Sequence, residues 1–304
     1  MLRSIFLLSL VSLFSGSLRA IVVASGDGSS AVVTYNQVVD GVNLNGVVEL
    51  VSSGGIGCSG SLLSDGYSIL TAGHCITASY GSSVPSYVDV YFPGSSSPYT
   101  VTNYYVDPGW TGDSTQGNDL AILRLDQAAP SSAIGYSLYT GFTTSTILLA
   151  GYGQTGNGTT GVTGGFGTLR QGQNRYIGLG DQVFTGWSNQ LLVGEFEEYS
   201  DIPNEVDIGR GDSGGPSFYD GEIIGVHDVI ACISATSSGP CTDPPSASPL
   251  LNSSFGQFFG DTSVSSSASW IESEETPEPA SCSLVLLGLA GAEFLRRRTG
   301  RRPS

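Results

Sequence analysis

The sequence predicts an all-β protein, and three observations support this prediction. Glycine is very frequent, with 43 copies among 304 residues, while charged residues make up only 12% of the chain. Short apolar segments alternate with segments rich in Gly, Ser, Asp and Asn. No segment before residue 260 has the apolar spacing of a helix. Short strands separated by turn residues are typical of antiparallel sandwiches and barrels.

The apolar segments give the expected strands, and one segment near the end gives a helix. Strands are expected at 47–51, 68–71, 87–92, 120–125, 146–150, 190–193 and 222–226. The glycine-rich segment 151–167 is interpreted as a surface loop. Val264, Ala268 and Ile271 have the i, i+4, i+7 spacing of a short closing helix, with Trp270 beside them.

The charge of the chain is strongly negative. All 11 basic residues are arginines, against 27 acidic residues, and the chain contains no lysine. Residues 21–276 hold 25 acids and four arginines, a formal charge of −21. Phosphate contacts need clustered cations, so nucleic acid is not an expected partner. Such a charge favours solubility and attracts cationic partners.

The first twenty residues have the pattern of a secretory signal peptide. Arg3 precedes the apolar run 5–14, and small residues follow. Cleavage after Ala20 is the expected position, with Ser17 and Ala24 as alternatives. It would make Ile21 the first residue of the mature chain.

The last residues, 274–304, combine three elements in order. Pro277-Glu278-Pro279 is followed by an apolar stretch, 280–292, and then by Arg296-Arg297-Arg298. This arrangement resembles the PEP-CTERM sorting signal of Gram-negative bacteria. The resemblance implies a secreted or cell-surface protein, transient membrane association through the tail, and an exosortase-type processing enzyme as partner. A plain C-terminal anchor or a disordered tail is the alternative.

The cysteines are consistent with export. Cys282 lies in the tail, and the body holds Cys58, Cys75, Cys232 and Cys241. An oxidising compartment favours disulfides, and four cysteines allow three pairings. We expect the pairs Cys58–Cys75 and Cys232–Cys241. No C-x-x-C spacing occurs and the chain has only two histidines, so neither a metal nor another cofactor is expected.

Three segments carry residues suited to nucleophilic catalysis. His74 follows an expected strand, Asp119 begins another, and Ser213 lies in a glycine-dense turn. A serine hydroxyl becomes a nucleophile when an imidazole takes its proton, and a carboxylate fixes the tautomer of that imidazole. Singly, each residue has an ordinary structural explanation; together they indicate acyl transfer.

The segments themselves are Thr71-Ala72-Gly73-His74-Cys75, Asn118-Asp119-Leu120-Ala121-Ile122-Leu123 and Gly211-Asp212-Ser213-Gly214-Gly215-Pro216. They resemble the trypsin-like (chymotrypsin-fold) serine proteases, with Gly73 in place of the usual alanine. The resemblance implies two six-stranded antiparallel β-barrels, at about 21–138 and 139–260, within a protease domain spanning 21–273. The cleft between them would hold the triad.

The resemblance also implies roles for the residues of a monomeric endopeptidase acting on proteins or peptides. Ser213 would attack the carbonyl, His74 would move the proton, and Asp119 would orient His74. The amides of Gly211 and Ser213 would form the oxyanion hole.

Two further acids take roles from the same resemblance. Asp207 would form the base of a pocket for Arg or Lys, although Ile208 and Gly209 depart from the family pattern and Arg210 could neutralise it. Asp212 would pair with the new α-amino group of Ile21.

Two other functions fit parts of the sequence. The serine segment also matches the G-x-S-x-G pattern of α/β-hydrolase esterases, which need a later histidine. The only candidate, His227, follows Ser213 by fourteen residues, too few for that fold. A protease-like scaffold that binds without catalysis is the other alternative, although no member of the triad is missing.

Overall fold

The chain folds into two closed six-stranded antiparallel barrels. The computed structural model describes residues 21–26, 31–53, 57–77, 88–234, 241–243 and 251–275, with the backbone alone at 234 and 241–243. The all-β prediction and the two six-stranded barrels are confirmed. The signal peptide, residues 276–304 of the tail and Cys282 lie outside the described residues.

Each barrel is built from antiparallel pairings between strands that are neighbours in space. In this spatial order, the N-terminal barrel consists of Val47–Ser52, Gly57–Leu62, Ser68–Thr71, Ala121–Leu125, Tyr99–Val106 and Val88–Tyr91. The C-terminal barrel consists of Thr146–Gly151, Arg170–Leu179, Leu191–Glu195, Phe258–Ser263, Glu222–Ala231 and Pro216–Tyr219.

Shorter elements connect and flank the barrels. The remaining strands are Ile21–Val23, Val38–Val39, Val42–Asn43, Thr155–Asn157, Gly161–Val162, Val206–Asp207, Ile233–Ser234 and Cys241–Asp243. The helices are Gly180–Val183 and Val264–Glu274, and the 3₁₀ turns are Leu44–Gly46, Gly73–Cys75 and Ser114–Gln116. The interpretation of 151–167 as a plain surface loop is wrong, because this segment contributes two of the short strands.

The N-terminal strand Ile21–Val23 belongs structurally to the second half of the molecule. It runs parallel to Thr155–Asn157 and antiparallel to Val206–Asp207. Ile21 and Val22 are completely buried, and burial of two β-branched side chains removes much apolar surface from water. The start of the described chain is therefore held against the C-terminal barrel.

A single apolar cluster joins the two barrels and the closing helix. It includes Leu70 and Leu120 from the N-terminal barrel, Val226 from the C-terminal barrel, and Ile271 of helix Val264–Glu274. The helix prediction is confirmed. The hydroxyl of Ser267 on this helix also donates a 2.7 Å hydrogen bond to the carboxylate of Asp107.

One predicted disulfide is present between described side chains. Cys58 and Cys75 are bonded, which confirms that pairing. Cys232 is also disulfide-bonded. Strand pairing places Ile233–Ser234 against Cys241–Asp243, but the side chain of Cys241 lies outside the description, so that pairing stays a prediction. Among the described helices, none has the length and apolar content needed to cross a membrane.

Candidate active site

Strand pairing in the N-terminal barrel brings His74 and Asp119 together. Thr71, the last residue of one strand, pairs with Ala121, the first residue of the next strand in space. The chain therefore leaves one strand and enters the other at the same end of the sheet. His74 lies in the turn Gly73–Cys75 just after the first of these strands, and Asp119 lies two residues before the second.

Asp119 accepts two hydrogen bonds from His74. The backbone N–H of His74 donates to Oδ1 at 2.7 Å, and the ring Nδ1 lies 2.5 Å from Oδ2. The Asp119 side chain is fully buried, whereas 31% of the His74 side chain is exposed. Burial opposes the imidazolium, but the charge and hydrogen bond of Asp119 outweigh it and raise the pKa of His74. The same pairing overcomes burial and lowers the pKa of Asp119.

The glycine that departs from the family pattern has a steric explanation. A Cβ on Gly73 would lie 3.0 Å from Asp119 Oδ1, 3.1 Å from the ring of Trp110 and 3.3 Å from the carbonyl of Leu120. These contacts are tighter than ordinary van der Waals separations. Glycine therefore lets the histidine turn approach Asp119 closely in this chain.

The Ser213 turn is fixed by two glycines and by a serine of the other barrel. Gly211 and Gly214 have φ angles of +94° and +81°, which side chains disfavour. Ser59 Oγ donates to the carbonyl of Gly211 at 2.9 Å, and Ser59 N donates to the carbonyl of Ser213 at 2.8 Å. Neither Gly211 N nor Ser213 N donates to another described residue, so both amides are free to bind an oxyanion.

Ser213 lies beside the histidine turn without a hydrogen bond to His74. Its carbonyl is 3.5 Å from Sγ of Cys75, the residue that follows His74. Within the described residues no hydrogen bond joins Ser213 Oγ to the His74 ring. Such bonds are often long in ligand-free enzymes and tighten when substrate binds.

Asp212 faces away from Ser213 toward the N-terminal strand. Its carboxylate accepts hydrogen bonds from Gly153 N and Gly209 N, both at 2.8 Å, and from the backbone N–H of Ile21. A Cβ on Gly151 would lie 2.2 Å from this carboxylate, so glycine is required there. Burial raises the pKa of Asp212 to about 6. The structure thus brings together the two residues expected to pair.

Asp207 occupies a closed position instead of an open pocket. Its side chain is fully buried, Oδ1 accepts from Ile208 N at 2.8 Å, and Oδ2 has no partner among the described residues. Burial, reinforced by the charges of Glu205, Asp212 and Asp261, raises its pKa well above the usual range. The expected accessible carboxylate at the base of a specificity pocket is absent from this conformation.

Neighbouring Glu205, which the sequence analysis did not single out, is also buried, and burial raises its pKa to about 8.

His227 lies in the interior of the C-terminal barrel. The ring is fully buried, and Nδ1 lies 2.9 Å from Asp261 Oδ1. Tyr176 and Ser217 donate to the other oxygen of Asp261, each at 2.6 Å. A buried ring held in this network is not available as the base of an esterase, which agrees with the sequence argument against that class.

Asp228 is a site residue that the sequence reasoning missed. Its Oδ1 lies 4.0 Å from Nδ1 of His74, and its side chain is fully buried. The possible signal was an acid within the apolar strand Glu222–Ala231, directly after the second histidine.

Two groupings of side chains in the described residues have metal-binding residue types. In the first, Cys58 and Cys75 accompany His74, but their sulfurs form a disulfide and offer no thiolate. In the second, the donor atoms of His74, Asp119 and Asp228 lie within 4.8 Å of one another. The 2.5 Å contact between His74 Nδ1 and Asp119 Oδ2 uses the lone pairs that a metal would need, so a proton suits this arrangement better.

Comparisons with known proteins agree with this fold. The family model described as Trypsin matches residues 38–243. The solved structure of HL collagenase superposes with a TM-score of 0.57 at 18% sequence identity, covering 80% of this chain and 96% of that one. A likeness at this identity concerns the fold. The search of curated proteins found no match.

Proposed function

This chain belongs to the trypsin family, and we propose that it is a serine endopeptidase that cleaves peptide bonds through an acyl-enzyme on Ser213. The observation that supports this most strongly is the buried hydrogen-bonded pair of Asp119 and His74. It lies next to a serine turn whose Gly211 and Ser213 amides are free. These are the parts that acyl transfer requires.

In the proposed mechanism the imidazole of His74 takes the proton of Ser213 while Oγ attacks the scissile carbonyl. Asp119 accepts the Nδ1 proton, which leaves Nε2 as the base and stabilises the imidazolium that forms. The amides of Gly211 and Ser213 hold the oxyanion of the tetrahedral intermediate. His74 then protonates the leaving amine, and water repeats the sequence to release the acid product.

Cleavage after Arg or Lys stays a hypothesis that needs a change at Asp207. A cation gains from a carboxylate that is both accessible and ionised. In this conformation Asp207 is buried and its pKa is raised, which favours the neutral form. Peptides that differ only in Lys, Leu or Phe before the scissile bond will measure this preference directly.

We also propose that export activates the enzyme. Removal of residues 1–20 in the secretory pathway would convert the Ile21 amide into an ammonium group at the carboxylate of Asp212. The hydrogen bond from Ile21 N supports this, because the nitrogen is already at that carboxylate.

The C-terminal tail would direct the protein to the cell surface through an exosortase-type enzyme. The mass of the C-terminal peptide from the exported protein tests that step.

The central test is labelling with a fluorophosphonate probe. Protein beginning at Ile21 should be labelled at Ser213 and should cleave a peptide amide. Ser213→Ala and His74→Ala should abolish both, whereas Ser97→Ala, a control at an exposed serine, should change neither. Lack of labelling in correctly processed wild-type protein would support the binding scaffold. Hydrolysis of short esters with no cleavage of any amide would support an esterase.

A further inference from the structure

Asp228 is a buried acid beside the active site that the proposed mechanism does not use. It lies in strand Glu222–Ala231, whose pairing with Phe258–Ser263 shifts register between His227 and Val229. Such a bulge redirects side chains. His227 faces Asp261 inside the barrel, whereas Asp228 faces the pair formed by His74 and Asp119.

The groups around Asp228 explain how its two oxygens are used. Thr262 donates to Oδ2 at 3.0 Å, and the side chain of Ser114 lies close enough to the same carboxyl group to lower its pKa. One carboxylate oxygen of Asp228 lies within 4.8 Å of one of Asp119, with no other described group donating a hydrogen bond between them. Oδ1 accepts no hydrogen bond from any described donor, as expected of an oxygen that itself carries a proton.

Two adjacent buried carboxyl groups hold one proton between them, because two anions at this distance repel strongly in a buried site. Asp119 already accepts both the backbone N–H and the ring of His74, so it is the better anion. Among the described groups that lie against the two carboxyls, His74 alone can carry a positive charge. The proton therefore belongs to Asp228.

We propose that Asp228 is a neutral carboxylic acid that donates a hydrogen bond to Asp119 and so positions it against His74. This proposal rests on the proposed protease function. Asp228 acts as a positioning residue, because it acts through Asp119. Because Asp228 is neutral, the two aspartates together carry one negative charge. His74 is therefore not held as an imidazolium by two anions, and it can serve as a base.

Burial first, and then the charge of Asp119, raise the pKa of Asp228 well above its usual range. The groups that face it are Asp119 and His74 from the N-terminal barrel, Ser114 from its 3₁₀ turn, and Thr262 from the neighbouring strand. None of these supplies a permanent positive charge.

The test compares Asp228→Asn with Asp228→Ala. Asparagine keeps a neutral donor toward Asp119 and an acceptor for Thr262, so kcat/KM should stay within about threefold of wild type. Alanine removes the donor, and kcat should fall about 10- to 100-fold with little change in KM. Equal kcat values for the two variants would overturn the positioning role. Melting temperatures identify any variant that is poorly folded. If Asp228→Ala is poorly folded, the kcat/KM of Asp228→Asn, which preserves the shape of the side chain, tests the proposal: a fall of more than about threefold would overturn it.

A second measurement does not depend on activity. The pKa of His74 is measured by NMR titration of its ring in Ser213→Ala protein, with and without Asp228→Asn; His74→Ala identifies its signal beside that of His227. A neutral Asp228 predicts a difference below about half a unit. A larger fall in Asp228→Asn protein would show that an anion had been removed and would overturn the proposal. If wild-type protein does not react with the fluorophosphonate, the protease function fails, while this titration still decides the state of Asp228.

Discussion

At the scale of single residues, the proposed mechanism makes the pair of His74 and Asp119 control both the rate and its pH dependence. His74 acts as a base only when neutral, and Asp119 raises its pKa above the usual 6.5 despite burial. Protonation therefore removes activity as the pH falls, and kcat/KM should rise with pH around a midpoint above 6.5. A pH profile with a fluorogenic peptide measures this midpoint.

Asp119→Asn should lower kcat by about 10⁴-fold, the size established for the corresponding change in well-studied members of this family. The amide would favour the wrong tautomer of His74. Substrate binding should change little, so KM serves as the internal control. A loss below about tenfold would mean that Asp119 is not the orienting group.

Sequence reasoning identified the paired residues because their motifs are specific, but it could not identify Asp228. An acid inside an apolar strand has no motif, and its meaning depends on a bulge and on a partner from the other barrel. For Asp207 the sequence predicted too much. Its spacing from Ser213 suggested an accessible pocket, but the folded chain buries its side chain completely, and the spacing does not show this.

At the scale of elements, the N-terminal strand Ile21–Val23 is held in a strained form. Ile21 has φ of 61°, a region that β-branched residues avoid at a cost of about 1–3 kcal/mol. The proposed cleavage before Ile21 would remove the preceding peptide bond and with it this constraint. It also gives the buried carboxylate of Asp212 a cationic partner.

Protein beginning at Ile21 should therefore be more stable than protein that retains Ala20, and the difference should grow with pH. With the peptide bond intact, Asp212 has a folded pKa of about 6, above that of the unfolded chain, so stability declines as the pH rises through 6. The ammonium group offsets this loss. Melting temperatures of both proteins at pH 4 and pH 8 test it, with Asp212→Asn as the control that should remove the pH-dependent part.

The disulfide between Cys58 and Cys75 closes a loop of 17 residues that ends beside His74. Replacing both cysteines by alanine should lower the free energy of unfolding by about 3 kcal/mol, because the unfolded chain regains conformational freedom. Urea denaturation measures this change. An unchanged midpoint would show that the strands Gly57–Leu62 and Ser68–Thr71 hold the loop ends without the bond.

Some strands could not be predicted because their inward residues are small or polar. Gly57–Leu62 buries Ser59 and Ser61, so it shows no apolar run. Arg170–Leu179 alternates correctly, but its buried positions include an arginine and Asn174, whose amide donates to Val206 O at 2.8 Å. Apolar patterning does not detect strands stabilised by side-chain hydrogen bonds.

At the scale of the whole molecule, only the family resemblance predicted the number of barrels, because the apolar segments alone are compatible with either sandwiches or barrels. The apolar periodicity of the sequence predicted the closing helix. It did not predict that the helix contacts both barrels, because Ile271 meets Leu120 and Val226 only after residues far apart in sequence have folded together.

The formal charge of −21 for residues 21–276 should influence substrate capture. Peptides with Lys or Arg placed away from the cleaved bond should react faster at low salt, because the negative surface raises their local concentration. Their kcat/KM should fall between about 20 and 300 mM NaCl, where screening shortens the range of the field to below about 10 Å. Neutral peptides of equal length provide the control. Identical salt dependence of both would exclude steering.

Ser59 links the integrity of the barrel interface to the chemistry. Its hydroxyl and amide, on one barrel, hold the carbonyls of Gly211 and Ser213, on the other. A small slippage between the two halves would therefore misalign the proposed oxyanion donors, the amides of Gly211 and Ser213, while each half kept its own sheet. On gentle heating or at low denaturant, the protein should lose its turnover before either half melts.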